Sequence, residues 1–71
     1  INMRVNIPNL QEFIVKNYRG NQSFFAEEAK IDRSYFNQLM NGRIKNNSPK
    51  ICNAIIRYCD EKNLDYRDFI F

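Results

Sequence analysis

Between Asn21 and Gly42 apolar residues recur at helical spacing twice, and only Lys30-Ile31-Asp32 separates the two runs. Phe25, Ala26 and Ala29 share one face of the first run, and Phe36, Leu39 and Met40 share one face of the second. A break this short makes the two helices cross steeply, at roughly 90–120°. The crossing accounts for alanine at position 26, because a larger side chain there would hold the backbones apart. Asn21 and Asp32 are N-cap residue types placed directly ahead of the two runs, and Gly42 supplies a C-terminal stop. On the second run Arg33, Ser34, Asn37, Gln38 and Asn41 fall opposite the apolar stripe and leave a polar face.

A chain of 71 residues buries only about 60% of the surface its unfolded form exposes, so the core has to be compact. Disulfides do not staple it: Cys52 and Cys59 lie seven apart in one predicted helix. That separation is a rise of roughly 10 Å, beyond disulfide reach. Unpaired cysteines fit a reducing, cytoplasmic setting. The remaining segments read as further helices. Pro8 opens one that carries Leu10, Phe13, Ile14 and Tyr18 and stops at Gly20. Ser48-Pro49 starts another, with Ile51, Ala54, Ile55, Tyr58 and Cys59 on its inner face. Asp65 caps a short last helix that presents Tyr66, Phe69, Ile70 and Phe71. In the opening segment Ile1, Met3, Val5 and Ile7 alternate with polar residues, the period of a strand. Such a strand needs a partner, either the C-terminal segment or the same strand of a second subunit. The expected fold is therefore all-α, four or five short helices around a central helix-turn-helix, with residues 1–7 as an extension that forms a strand if it finds a partner and residues 8–71 as one domain.

Eleven basic residues against eight acidic give a net charge of +3, too little by itself to specify a polyanion partner. The distribution is more informative. GRIKNNSPK, residues 42–50, carries Arg43, Lys45 and Lys50 without an acid, whereas the stretch from Ile51 onward has three basic and four acidic residues. Catalysis is not expected: there is no histidine, no Cys/His metal spacing and no glycine-rich phosphate loop. No apolar run reaches 18 residues and no charged-then-apolar leader opens the chain, so neither a membrane span nor a signal peptide is expected.

With these residues in place, the chain resembles the phage repressor and Cro-like family of helix-turn-helix DNA-binding proteins. The resemblance rests on Asn21-Gln22, Phe25-Ala26, Ile31-Asp32-Arg33-Ser34, Phe36, Leu39 and Asn41-Gly42, and it extends from about Leu10 to Phe69. One departure is Lys30, where the family usually has glycine; if the turn needs a positive φ, lysine there costs on the order of 1 kcal/mol. The resemblance implies that Arg33, Ser34 and Gln38 reach base edges, with Asn37 beside them. The residue types suit that role, since arginine pairs bidentately with guanine, glutamine with adenine, and serine is permissive. It implies phosphate contacts from Gln22 and Asn41, with Arg43, Lys45 and Lys50 flanking. Tyr35 either touches the backbone beside them or packs against the protein. Phe24, about 100° from Phe25, is left to cover the opening segment or the first helix, or to mark a partner surface.

The implied function is sequence-specific binding of double-stranded DNA by a transcriptional regulator, a repressor of phage or prophage type that acts by occupying its operator in the nucleoid. The alternative is a protein-interaction module, an antirepressor or assembly partner, on the same fold. A palindromic operator and a homodimer, standing or formed only on DNA, are expected because one motif reads few base pairs. The dimer surface is expected in Tyr66, Phe69, Ile70 and Phe71 or in the segment from Met3 to Ile7, unless these pack on each other within one subunit. No metal, cofactor or small-molecule effector is expected.

Overall fold

A computed structural model describes residues 3–71. Four α-helices follow in order, α1 (Ile7–Tyr18), α2 (Gln22–Glu28), α3 (Arg33–Met40) and α4 (Pro49–Glu61), and a 3-10 turn (Tyr66–Asp68) precedes the C-terminus. Each boundary has a local cause. The Asn6 side chain accepts from Asn9 N–H at 3.3 Å to start α1, Asn21 accepts from Phe24 N–H at 3.0 Å to start α2, and Asp32 accepts from Tyr35 N–H at 2.9 Å to start α3. Ser48 occupies the N-cap of α4 without a side-chain hydrogen bond, so that start rests on Pro49 and on the extended backbone of Ser48. Gly42 ends α3 at φ 74°, a conformation open to glycine at no steric cost.

The expectation of an N-terminal strand is corrected. Among the described residues the segment makes one antiparallel bridge, Val5 with Ile70, and no strand. The ladder cannot lengthen because Ile7 already belongs to α1 and the 3-10 turn ends at Asp68. The partner is the C-terminal segment of the same chain: Asn6 N–H donates to Phe69 C=O at 2.7 Å and Phe71 N–H to Arg4 C=O at 2.8 Å. Ile1 and Asn2 lie outside the described residues.

The core contains most of the stripes that periodicity marks, joined by Cys52, Val5 and Ile31, while Phe13 and Tyr18 are only partly buried. Leu10 and Ile14 of α1, Phe25 and Ala26 of α2, Phe36 and Leu39 of α3, and Ile51, Cys52, Ile55 and Cys59 of α4 are all buried. Phe25 sits at the centre, with ring centroids 5.3 Å from Phe36, 4.9 Å from Tyr58 and 5.6 Å from Tyr18. Phe13 closes the far side against Phe69 at 5.1 Å. Deleting a ring such as Phe25 or Phe36 would leave a cavity that neighbours on three helices can only partly fill. Both cysteines are free and buried on α4, and burial raises both thiol pKa values, that of Cys59 to about 11 with Asp68 and Asp65 adding to the effect. No helix among the described residues is long and apolar enough to cross a membrane.

Candidate nucleic-acid interface

The geometry of the α2–α3 pair begins with the turn. Ile31 N–H donates to Ala26 C=O at 2.8 Å, which draws the turn back onto α2, and both Ala26 and Ala29 are buried beneath it. Lys30 adopts φ 60°, the left-handed conformation that glycine would reach without strain. Its side chain is exposed, so the strain is the only cost of having lysine there. Phe36 and Leu39, at 0% and 1% exposure, anchor α3 from below.

This anchoring decides what α3 shows to solvent. At 100° per residue, Arg33, Asn37, Asn41, Ser34 and Gln38 occupy an arc of about 140°, and Leu39, Phe36 and Met40 occupy a separate arc of about 100°. Arg33, Ser34, Gln38 and Asn41 are exposed and Asn37 is half-buried. Asp32, next in sequence to Arg33, spends its carboxylate on the Tyr35 N–H. Glu28 is engaged elsewhere, accepting from the Tyr18 hydroxyl at 3.0 Å and lying 3.7 Å from Lys62 Nζ. Among the described residues the ion pairs are Lys16 with Glu12, Lys62 with Glu28 and Arg67 with Asp65. None of them involves Arg33, Arg43 or Lys45, whose charges remain available to an outside partner.

The residues read as backbone contacts are distributed around this arc. Gln22 is the first residue of α2 and half-buried. Asn41 caps the C-terminus of α3, and Arg43 N–H then donates to Gln38 C=O at 2.9 Å, fixing where the basic loop leaves the helix. Arg43 and Lys45 are exposed, while Ile44 between them packs against the core. Tyr35 is set apart from the polar arc of α3. It is half-buried on the side of α3 that meets α4, where with Lys30, Ile31, Asp32, Lys50, Ile51 and Ala54 it lines a cleft of about 380 Å³. Two exposed lysines, Lys30 and Lys50, thus flank the Tyr35 ring, a grouping that sequence spacing does not reveal because the three residues come from a turn and two helices. Phe24 lies on α1: its ring centroid is 5.5 Å from that of Tyr18, and it stays half exposed.

The terminal apolar residues are divided. Phe69 and Ile70 are buried within the chain, whereas Tyr66 and Phe71 remain exposed, the latter with the Arg4 guanidinium 5.8 Å above its ring. Arg67 is held by Asp65 through two side-chain hydrogen bonds of 3.1 Å, which keep the Asp65 carboxyl below its ordinary pKa and the Arg67 guanidinium above its own. No group of three or more histidine, cysteine, aspartate or glutamate side chains that could hold a metal ion occurs among the described residues.

No family model, curated protein or solved structure matches the chain.

Proposed function

We propose that this protein binds double-stranded DNA in a sequence-specific manner by laying α3 in the major groove, and that it regulates transcription by occupying its operator. The observation that carries this reading is the polar arc of α3, with Arg33 in no ion pair among the described residues and Arg43 and Lys45 exposed beside it. In this reading Arg33 pairs with a guanine and Gln38 with an adenine, and Ser34 and Asn37 complete the base contacts. Gln22, Asn41, Arg43, Lys45 and Tyr35 contact the sugar-phosphate backbone and set the register of α3 without reading sequence.

One motif covers a half-site, so the functional unit is a homodimer on a palindrome whose halves lie one helical turn apart. Of the terminal apolar residues, Tyr66 and Phe71 are the exposed ones and take part in that contact in this reading. Repression needs no catalysis, cofactor or effector: a bound dimer excludes the polymerase.

A second reading, an interaction module on the same fold, draws on Phe24. It is half exposed and borders a shallow depression with Asn21, Ser23, Glu27 and Arg33. An aromatic anchor beside an arginine suits a protein partner. Fluorescence anisotropy with a labelled duplex separates the two. DNA binding through three to five phosphates per subunit gives a log–log salt slope of about −3 to −5. A flat salt response, or no binding, rules out the DNA reading and leaves the interaction module.

A further inference from the structure

The loop from α3 to α4 alternates in exposure. Arg43 and Lys45 point to solvent, Ile44 packs against the core and Asn46 is half-buried. What Asn46 packs against is distant in sequence. Its Nδ2 donates to the Val5 carbonyl at 2.9 Å, and its own carbonyl accepts from Val5 N–H at 2.9 Å. Val5 is itself immobilised: it is 1% exposed and bridges Ile70, with backbone hydrogen bonds from Asn6 to Phe69 and from Phe71 to Arg4 on either side. At the other end of the loop Arg43 N–H is tied to Gln38 C=O. Arg43-Ile44-Lys45 is therefore pegged at both ends and in the middle.

We infer that Asn46 is a positioning residue for the DNA-binding reading above, on which the inference rests. By clasping Val5 it sets Arg43 and Lys45 at a fixed place beside α3, and the N-terminal segment thereby contributes to DNA affinity without touching DNA. The physical reason is preorganisation. A loop released at Asn46 loses conformational entropy when it settles on the phosphates, and that loss is subtracted from binding. Asn46→Ala removes the amide donor and leaves the Val5 carbonyl without it, while every cation remains in the chain.

The experiment is an anisotropy titration of the full chain on a labelled duplex of mixed sequence, between 50 and 200 mM salt, for the wild type, Asn46→Ala, Arg43→Ala/Lys45→Ala and the triple variant. Arg43→Ala/Lys45→Ala loses two phosphate contacts and lowers the salt slope by about 1.8, whereas Asn46→Ala keeps the wild-type slope, since the same cations still reach the phosphates, and binds about three- to ten-fold more weakly at every salt concentration. Added to Arg43→Ala/Lys45→Ala, the same substitution changes affinity by less than about two-fold, because the groups it positions are already gone. A folded Asn46→Ala protein with wild-type affinity overturns the inference, as does an equal loss in both backgrounds. In either case a steep wild-type slope leaves the DNA reading standing, whereas a wild type that does not bind duplex sinks both. If circular dichroism shows Asn46→Ala to be unfolded, Asn46→Leu, which keeps the bulk of the side chain without a donor, is titrated in its place against the same outcomes.

Discussion

Where α1 meets α4, the polar side chains hold one another; where α3 faces solvent, they do not. Tyr18 donates to Glu28, which leaves the Tyr58 hydroxyl as the donor to Tyr18, and Lys62 completes the chain at Glu28. Burial, together with these two partners, pushes the Tyr18 hydroxyl pKa well above its ordinary value, so that hydroxyl keeps its proton under physiological conditions. On the α3 side the residues are of similar types, yet Asp32 turns to its cap and Glu28 turns away to the network. The comparison teaches that an exposed arginine is informative only when the acids near it are accounted for. Arg67, held by Asp65, and Arg33, which makes no ion pair among the described residues although Glu27 shares a depression with it, are both exposed cations with different availability.

The largest effect should come from a residue that serves both sides. Phe36 supports α3 from below and packs on Phe25, which in turn packs on Tyr58. Phe36→Ala should cost about 3–5 kcal/mol, enough to unfold much of a small domain, measured by urea denaturation. A loss below about 1 kcal/mol would mean that α3 is not anchored as described. Next, Arg33→Ala should separate the two sides. Binding to a preferred sequence falls by about 1–3 kcal/mol with relaxed preference at one base pair, and the urea midpoint stays within about 0.5 kcal/mol of wild type. Equal losses on all sequences would move Arg33 from base reading to phosphate contact.

Tyr18→Phe is the converse test. It removes the hydroxyl that links Tyr58 to Glu28 and should cost about 1–2 kcal/mol of stability while the DNA affinity of the folded protein is unchanged. A change in affinity at full folding would show that the two sides are not independent. The smallest effect concerns the turn. Lys30→Gly relieves the left-handed strain at φ 60° but adds backbone entropy to the unfolded chain, so a gain of up to about 1 kcal/mol is expected from thermal unfolding. A loss of stability would show that the lysine side chain, beside Tyr35 and Lys50, contributes more than the strain costs.

Features set by near neighbours were legible in the sequence. The caps at Asn21 and Asp32, the stop at Gly42, the stripes of α1 to α4 and the small residue at Ala26 all arise from interactions within a few positions. A positive φ at Lys30 is raised only by the resemblance to a family with glycine there, and the turn does adopt it, at φ 60°. Less legible were features that depend on distant partners. The alternation at residues 3–7 is real in its burial, with Val5 inside and Arg4 outside, yet the segment forms a bridge because α1 begins at Ile7. Tyr35 lies next to Ser34 in sequence, and the docking of α4 makes it part of a cleft with Lys30 and Lys50. Ser48 was legible as a cap position but makes no cap bond. The Asn46 clasp spans 41 residues and has no periodicity to betray it.

The central claim is that the polar arc of α3 reads bases, and selection of bound duplexes from a random DNA pool tests it most directly. The account predicts convergence on a short motif repeated as a palindrome, with preference at one position per half lost when Arg33→Ala protein is used. Recovery of a pool as random as the starting one would contradict it.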